Sequence, residues 1–219
     1  MPRGFFLTFE GLDGSGKSTQ LRKLHEWLMQ QGEDVVPTRQ PGGTRFGNRI
    51  RGLLLDSRRT SIDSRAELGL MFSDRAQTMA EVIRPALDRG AIVLCDRFTD
   101  STEAYQGGGR QLGSARVLAL HRELVALDPD LTILLLPDFE ASLDRARQRN
   151  QRAVAITGKD ENRFETLDTA FFRRVYDQYR TIAQREPVRV IAIESDAGVE
   201  EIHRRIVSIV QDRLRQHRS

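Results

Sequence analysis

The residues best suited to chemistry occupy positions 11–18, where the chain reads Gly-Leu-Asp-Gly-Ser-Gly-Lys-Ser. The spacing is that of a complete phosphate-binding loop, in which glycines bring backbone N–H groups against phosphate oxygens. Lys17 can reach the β- and γ-phosphates of a nucleotide, and the hydroxyl of Ser18 can ligate Mg²⁺. The predicted nucleotide-binding loop comprises Gly11, Leu12, Asp13, Gly14, Ser15, Gly16, Lys17, Ser18 and Thr19.

The sequence on either side predicts the strand and helix that such a loop requires. An apolar run at 5–9 precedes the loop, and apolar residues at helical spacing follow it, at Leu21, Leu24, Trp27 and Leu28. A helix that begins at the loop points the positive end of its dipole at a bound phosphate. The strand–loop–helix setting therefore supports this interpretation of the motif.

Short apolar runs alternate with helical patterns along the whole chain. We expect strands at 5–10, 34–38, 91–95, 131–136 and 188–193. We expect helices at about 17–31, 45–55, 64–89, 114–127, 139–150, 166–185 and 198–215. Pro85 predicts a kink or break inside the third helix. The alternation predicts a doubly wound α/β fold with a parallel sheet, in which ligands bind at the carboxyl ends of the strands.

Length and composition narrow the class of protein. A chain of 219 residues predicts a single domain over 1–219. The one cysteine, Cys95, excludes an intramolecular disulfide and lies in an apolar run that predicts a buried thiol. We expect a cytoplasmic protein with no membrane partner, because no signal peptide or membrane-length apolar segment is present. The net charge of +3, with scattered arginines and few aromatics, predicts no nucleic-acid partner.

Charged residues follow other predicted strands. Asp96 and Arg97 come directly after the third strand, where a carboxylate is typical of Mg²⁺ association and an arginine can clamp a second phosphate. A salt bridge at a strand end is the alternative interpretation. Asp13 is electrostatically costly beside bound phosphates unless a cation or an acceptor group offsets it, which favours a role near the reacting phosphates. Arg39 follows the second strand, at the predicted ligand edge.

Two further segments could contribute to a site. The run 101–110 combines hydroxyl, amide and phenol groups that suit recognition of a base and a sugar, although it could also be a capped helix and its loop. The basic stretch 150–163 interrupts two helical patterns. It favours a lid that closes over a nucleotide, with a surface loop as the alternative.

Together these segments resemble the bacterial thymidylate kinases over nearly the whole chain. The motifs that carry the resemblance are GLDGSGKST at 11–19, TRQPGGT at 38–44, DRAQ at 74–77, VIRPAL at 82–87 and DRFTDSTEAYQGGGR at 96–110. The resemblance implies a five-stranded parallel sheet surrounded by helices and a homodimer. It also implies transfer of the γ-phosphoryl group of ATP to dTMP, which gives dTDP and ADP on the way to dTTP.

The same resemblance implies roles for residues around the phosphates. Lys17 and Ser18 would hold ATP and Mg²⁺, with Asp13 near the acceptor phosphate. Arg39 and Arg97 would hold the acceptor phosphate itself.

For the nucleoside, the resemblance implies that Arg75 contacts a thymine carbonyl. Ser101, Thr102 and Gln106 would line the base. Tyr105 would pack against the sugar and disfavour a ribose 2′-hydroxyl.

The phosphate loop has no arginine between its outer glycines. In the family that it resembles, such loops accompany a catalytic arginine supplied by the lid, here about 147–163. Arg147, Arg149 and Arg152 are the candidates, and the sequence does not choose among them.

The chain departs from the family pattern at a few positions. A phenylalanine usually stacks on the base where this chain has Met71, and Phe72 follows it, so either could pack there. Gln40 replaces a glutamate, Leu136 replaces a common aspartate, and Asn162 replaces a frequent aspartate near the lid.

Two other functions compete with dTMP phosphorylation. A kinase for another pyrimidine monophosphate would keep the fold, but the segment at Tyr105 and Gln106, together with Arg75, favours dTMP. A GTP-dependent switch would need a guanine-reading Asn-Lys-x-Asp motif, which the sequence lacks.

Overall fold

The structure is a computed structural model that describes residues 4–56, 62–157 and 167–219. Within these ranges a parallel sheet carries helices on both faces, with the strand order β2-β3-β1-β4-β5. The strands are β1 (Phe5–Glu10), β2 (Val35–Arg39), β3 (Ile92–Asp96), β4 (Leu131–Leu135) and β5 (Val190–Ile193). This confirms the predicted α/β class, with strand boundaries within about two residues of those expected. Central β1 delivers the phosphate-binding loop to the middle of the carboxyl edge.

The helices cover both faces of the sheet. They are α1 (Lys17–Gln30), α2 (Arg45–Leu55), α3 (Ser64–Thr78), α4 (Arg84–Asp88), α5 (Thr99–Thr102), α6 (Ser114–Leu124), α7 (Phe139–Thr157), α8 (Thr169–Arg185) and α9 (Val199–Arg218). Within the described ranges, none of them combines the length and apolarity needed to cross a bilayer.

Every residue of β1 is buried, as expected for a parallel strand covered on both faces. Because successive side chains alternate, Leu7 and Phe9 pack in the layer beneath α1 and α9, whereas Phe6 packs in the opposite layer with residues of α3 and α4. Cys95 is a buried free thiol in that opposite layer, as predicted. The core thus fixes both faces around the loop that leaves β1.

A π-helical segment at Met79–Ile83 lies directly before Pro85. There the N–H of Arg84 donates to the carbonyl of Met79, five residues earlier. Because proline lacks an N–H and its ring crowds the preceding turn, the wider π turn absorbs the irregularity. The run 64–88 thus stays helical, and the irregularity near Pro85 takes the form of a π turn rather than the break that the sequence allowed.

A second π-helical segment, Glu103–Gly109, continues α5, so the run 99–109 is helical throughout. From the sequence, the run 101–110 could serve recognition of a base and a sugar or form a capped helix and its loop. Consecutive glycines disfavour a helix in isolation. They are used here for packing, because a Cβ on Gly109 would lie 2.6 Å from the ring of Phe171 on α8.

Helix α7 extends to Thr157, so the expectation of a loop from residue 150 onward is wrong for 150–157. The residues there include good helix formers and contain no glycine or proline before Gly158. Residues 158–163 of the predicted lid lie outside the described residues.

A buried ion pair joins α5 to the start of β5 and offers a test of the fold. Arg189 makes two bonds to the carboxylate of Asp100, each 2.8 Å long. We expect Arg189→Ala to lower the free energy of unfolding by about 3 kcal/mol, because it leaves a buried carboxylate without its partner. Urea denaturation measures the loss. The control Arg22→Ala breaks an exposed pair with Glu26 and should cost less than about 1 kcal/mol. Equal losses would contradict this account.

Candidate active site

A cavity of about 1020 Å³ opens at the carboxyl edge of the sheet. Most of the predicted site residues line it, and they come from α1 and its loop, β2, α3, β3 and the helical run after β3. The lining set includes Asp13, Gly14, Ser15, Gly16, Lys17, Ser18, Thr19, Arg39, Arg75, Asp96, Arg97, Ser101, Thr102, Tyr105 and Gln106. Sequence positions more than ninety residues apart thus share one cavity of the size that ligand sites occupy.

The phosphate-binding loop is clamped between β1 and α7. Gly14 has φ +79°, and a Cβ there would lie 2.2 Å from the carbonyl oxygen of Ser142. From the same helix, Nε of Arg145 donates to the carbonyl of Gly14 at 2.9 Å. Glycine is therefore needed at this position both for its conformation and for the close approach of α7.

Lys17 is buried beneath the loop. Its Nζ donates to the carbonyls of Gly11 at 2.9 Å and Leu12 at 2.7 Å. Burial, together with the nearby guanidinium of Arg97, lowers the pKa of Lys17 to about 8. The ammonium group remains mainly protonated near neutral pH, so it supplies a positive charge directly under the loop.

Asp96 presents a donor atom suited to a cation. Its Oδ1 is buried and has no hydrogen-bond partner among the described residues, and Ser18 lines the same cavity. No cluster of three or more His, Cys, Asp or Glu side chains suited to a metal occurs in the described part of the chain. This sparse oxygen set fits Mg²⁺, which binds through one or two protein ligands, substrate phosphates and water.

Arg97 connects the end of β3 to the phosphate-binding loop. Its backbone lies in the left-handed region with φ +67°, which is strained for a residue other than glycine. NH2 donates to Oδ1 of Asp13 at 2.9 Å, and NH1 donates to the carbonyl of Gly11 at 3.1 Å. The guanidinium also lies over the ring of Tyr105, 5.2 Å from its centroid. The arrangement holds a cation beside the loop acid.

Arg75 is 2% exposed and lies deep in the cavity wall. Its Nε donates to Oε1 of Gln40 at 2.7 Å, and NH2 donates to the carbonyl of Phe98 and to Oγ1 of Thr102. Burial lowers the pKa of Arg75 to about 10, which leaves it cationic. Gln40 thus accepts a hydrogen bond from Arg75 through a neutral amide. Thymidylate kinases usually have a glutamate at this position.

The structure separates the two residues considered for the base. Met71 lines the cavity, whereas Phe72 is 1% exposed and packs in the core against the guanidinium of Arg75. The amide of Gln106 donates to Oε1 of Glu67 at 2.8 Å, so Glu67 orients it at the cavity wall. Of the two candidates, Met71 therefore faces the cavity and Phe72 does not.

The candidate lid arginines lie on α7. Arg147 is exposed and sits 3.6 Å from Asp144, and it is not among the residues that line the cavity. Positions 149 and 152 are helical, and their side chains lie outside the described residues. Arg145 does line the cavity.

Sequence reasoning missed several residues of the site. Arg145 could have been found by its helical spacing within the arginine-rich run of α7. At the far end of the cavity, Nε2 of Gln20 donates to the carbonyl of Val199 at 2.8 Å. Other missed residues at that end are Ser195, Asp196, Ala197 and Ile202. These follow β5 without a recognisable motif, so their sequence gives no signal.

The fully buried Glu10 was also missed, although it directly precedes the loop. It accepts hydrogen bonds from the N–H of Phe98 at 2.7 Å, from Oγ of Ser101 at 2.5 Å and from the hydroxyl of Tyr179 at 3.0 Å. Burial first, and the charge of Asp100 second, raise the pKa of Glu10 to about 7.

A phosphate-binding loop at the head of α1, with the cations Lys17 and Arg97 bonded to it and a cavity that extends past it, defines a phosphate-loop nucleotide-binding protein. The family model described as "Thymidylate kinase" matches residues 9–206. This match covers most of the chain, which therefore belongs to the thymidylate kinase family.

Relatives and solved structures agree with the family match. A thymidylate kinase of Desulfovibrio desulfuricans is 44% identical over 96% of this chain and 97% of its own length. One from Pelobacter propionicus is 46% identical over 96% of both chains. The crystal structure of a thymidylate kinase from Ehrlichia chaffeensis superposes with a TM-score of 0.76 at 31% identity, covering 96% of this chain and 99% of that one.

The raised pKa of Glu10 predicts a particular dependence of stability on pH. An ordinary glutamate has a pKa near 4.5, so between pH 5 and 7 the folded protein binds a proton that the unfolded chain does not. Folding should therefore become more favourable as the pH falls from about 8 to 5. Relative to Glu10→Gln, which cannot titrate, the wild type should gain more than about 1 kcal/mol over this range. Denaturant unfolding at several pH values measures the gain, and parallel curves for the two proteins would exclude it.

Proposed function

We propose that this protein transfers the γ-phosphoryl group of ATP to dTMP, giving dTDP and ADP. The observation that carries the proposal is that the phosphate-binding loop, Arg97 and Arg75 line the same cavity. Such an arrangement places a nucleotide donor and a nucleotide acceptor side by side. Family membership supports the donor and acceptor chemistry, and the geometry supports the residues that we propose for each.

The donor half of the cavity would hold ATP. Backbone N–H groups of the loop and Nζ of Lys17 would contact its phosphates, with Ser18 and Asp96 holding Mg²⁺. Bound Mg²⁺ would neutralise phosphate charge. The far end, beside Gln20 and Ile202, would receive the adenine.

The acceptor half would hold the phosphate of dTMP between Arg39 and Arg97. Asp13 forms a 2.9 Å ion pair with Arg97. The pair partly neutralises the charge of the guanidinium and keeps it beside the loop. Phosphoryl transfer depends mainly on such positioning and on neutralised charge.

The base and sugar would lie against the helical run after β3. Arg75 would donate to a thymine carbonyl, with Thr102, Gln106 and Ser101 along the same wall. Met71 would pack on the base in place of an aromatic ring. Tyr105, buried beneath Arg97, would limit the space next to the sugar.

The lid arginine would come from α7. Helical spacing places positions 149 and 152 on the face of α7 that carries Arg145, and position 147 on the opposite face. We therefore favour Arg149 or Arg152 over Arg147, which pairs with Asp144 in the structure.

We also propose that the enzyme is a homodimer and works in the cytoplasm. Phe46 and Leu53 are large apolar residues exposed on α2, a helix that packs on α3. Contiguous apolar surface marks interaction sites, and residues seven positions apart lie on the same face of a helix. Its neighbour α3 lies within the stretch 64–89, where we place the subunit contact.

The proposal is tested by ADP formation from ATP and Mg²⁺ with dTMP, dUMP, UMP, CMP, AMP or no acceptor. Strong preference for dTMP supports it. Preference for another pyrimidine monophosphate would keep the mechanism and overturn the assignment of the base pocket. Hydrolysis that is independent of any acceptor would overturn the kinase proposal itself.

Lys17→Ala should lower kcat at least about 100-fold, because it removes the cation that faces the transferred phosphoryl group. The matched control is Lys23→Ala, on the same helix, where the lysine pairs with Glu200 outside the cavity. The control should keep kcat within about twofold of the wild type. Circular dichroism checks that both variants fold, and normal turnover by a folded Lys17→Ala protein would remove Lys17 from the ATP site.

A further inference from the structure

We propose that the hydroxyl of Tyr179, held by the buried carboxylate of Glu10 together with Ser101, positions Arg97 for the acceptor phosphate. This inference rests on the proposed function, since Arg97 binds the phosphate of dTMP only in that reading. Tyr179 is completely buried on α8 and is not among the residues that line the cavity. It is therefore a positioning residue, which acts through Arg97.

The contacts form a closed buried cluster. The hydroxyl of Tyr179 lies 3.0 Å from Oε2 of Glu10 and 2.8 Å from Oγ of Ser101. Oγ of Ser101 donates to the same oxygen of Glu10 at 2.5 Å. NH1 of Arg97 lies 3.1 Å from Oγ of Ser101 and 3.4 Å from the Tyr179 oxygen.

The donor and acceptor groups of the cluster determine the direction of its hydrogen bonds. An ionised carboxylate only accepts hydrogen bonds, and a guanidinium only donates them. The hydroxyl protons of Tyr179 and Ser101 are therefore drawn toward Glu10 or toward each other. Their oxygen lone pairs are left to accept from NH1 of Arg97. A hydroxyl can both donate and accept, and by accepting from Tyr179 and Ser101, Glu10 leaves their oxygens free to accept from Arg97.

These acceptors restrict the conformations of the Arg97 side chain. A free arginine side chain carries about 2 kcal/mol of rotamer entropy. Here NH1 is met by oxygens from three elements: the phosphate-binding loop through Gly11, α5 through Ser101, and α8 through Tyr179. Together with the ion pair to Asp13, these contacts hold the guanidinium in one place before substrate arrives. Such preorganisation favours binding of the phosphate.

The same contacts explain the hydroxyl of Ser101. Sequence resemblance places this residue against the base, but its Oγ is bonded to Glu10, Tyr179 and Arg97. We infer that its hydroxyl serves the arginine, even though the residue lines the cavity.

The experiment compares dTMP with thymidine, which lacks the phosphate that Arg97 would bind. Binding of each is measured by calorimetry at about pH 8, where Glu10 is mainly ionised. Tyr179→Phe should weaken dTMP binding about three- to tenfold and leave thymidine binding within about twofold, because only the phosphate contact depends on Arg97. In turnover assays the loss should appear in KM for dTMP more than in KM for ATP.

Tyr176→Phe is the matched control on the same helix. Its hydroxyl lies 3.5 Å from the carbonyl of Pro137, away from Arg97, and its removal should change neither affinity. Ser101→Ala removes the other hydroxyl from the cluster. It should reproduce the selective loss for dTMP and serves as the second variant if Tyr179→Phe does not fold.

A double-mutant cycle separates positioning from general damage. In an Arg97→Ala background, Tyr179→Phe should cause no further loss of dTMP affinity, because the residue through which it acts is gone. An undiminished further loss, or an unchanged dTMP-to-thymidine ratio in Tyr179→Phe, would overturn the inference while leaving the proposed function intact. A wild-type protein that neither prefers dTMP over thymidine nor phosphorylates it would overturn both.

Discussion

Charged side chains buried at the carboxyl edge of the sheet need hydrogen-bond partners, and these partners fix the elements around them. Glu10, Lys17 and Arg75 are all nearly or completely buried. An ion removed from water costs several kcal/mol unless partners surround it. These partners come from separate elements. Glu10 on β1 accepts from α5 and α8, and Arg75 on α3 donates to Gln40 in the loop after β2, to Phe98 just before α5 and to Thr102 at the end of α5. Satisfying the charges therefore fixes the helices relative to the sheet.

The same requirement prepares the site for its chemistry. Phosphoryl transfer needs cations already in place where phosphate charge will lie, and little covalent participation by the protein. Lys17 and Arg97, the cations proposed for this role, are held by contacts that the fold itself makes. The packing of Gly14 under α7 ties the phosphate-binding loop to the helix that leads to the predicted lid. Binding geometry and fold are thus maintained by one set of contacts.

Local patterns were sufficient wherever a residue's role depends on its neighbours in the chain. The strands, the phosphate-binding loop and an irregularity near Pro85 were predicted because periodicity, glycine spacing and proline act over a few residues. The helical run 99–109 was left open, because its glycines disfavour a helix until α8 packs on them. The sequence does not choose between Met71 and Phe72 for a similar reason. Both are apolar, and only the rotation of α3 against the sheet decides which one meets the cavity.

The sequence by itself determined the class of fold, the family and the phosphate chemistry, because these are encoded in short motifs with strict spacing. Only the tertiary structure decided which distant side chains meet. It placed Tyr179 against Glu10, 169 residues away in the chain, and Arg145 against the loop at Gly14, 131 residues away. It also turned the hydroxyl of Ser101 toward Arg97. Such contacts depend on how helices pack across the sheet, and that packing follows from the sum of many burial and pairing energies that no local pattern records.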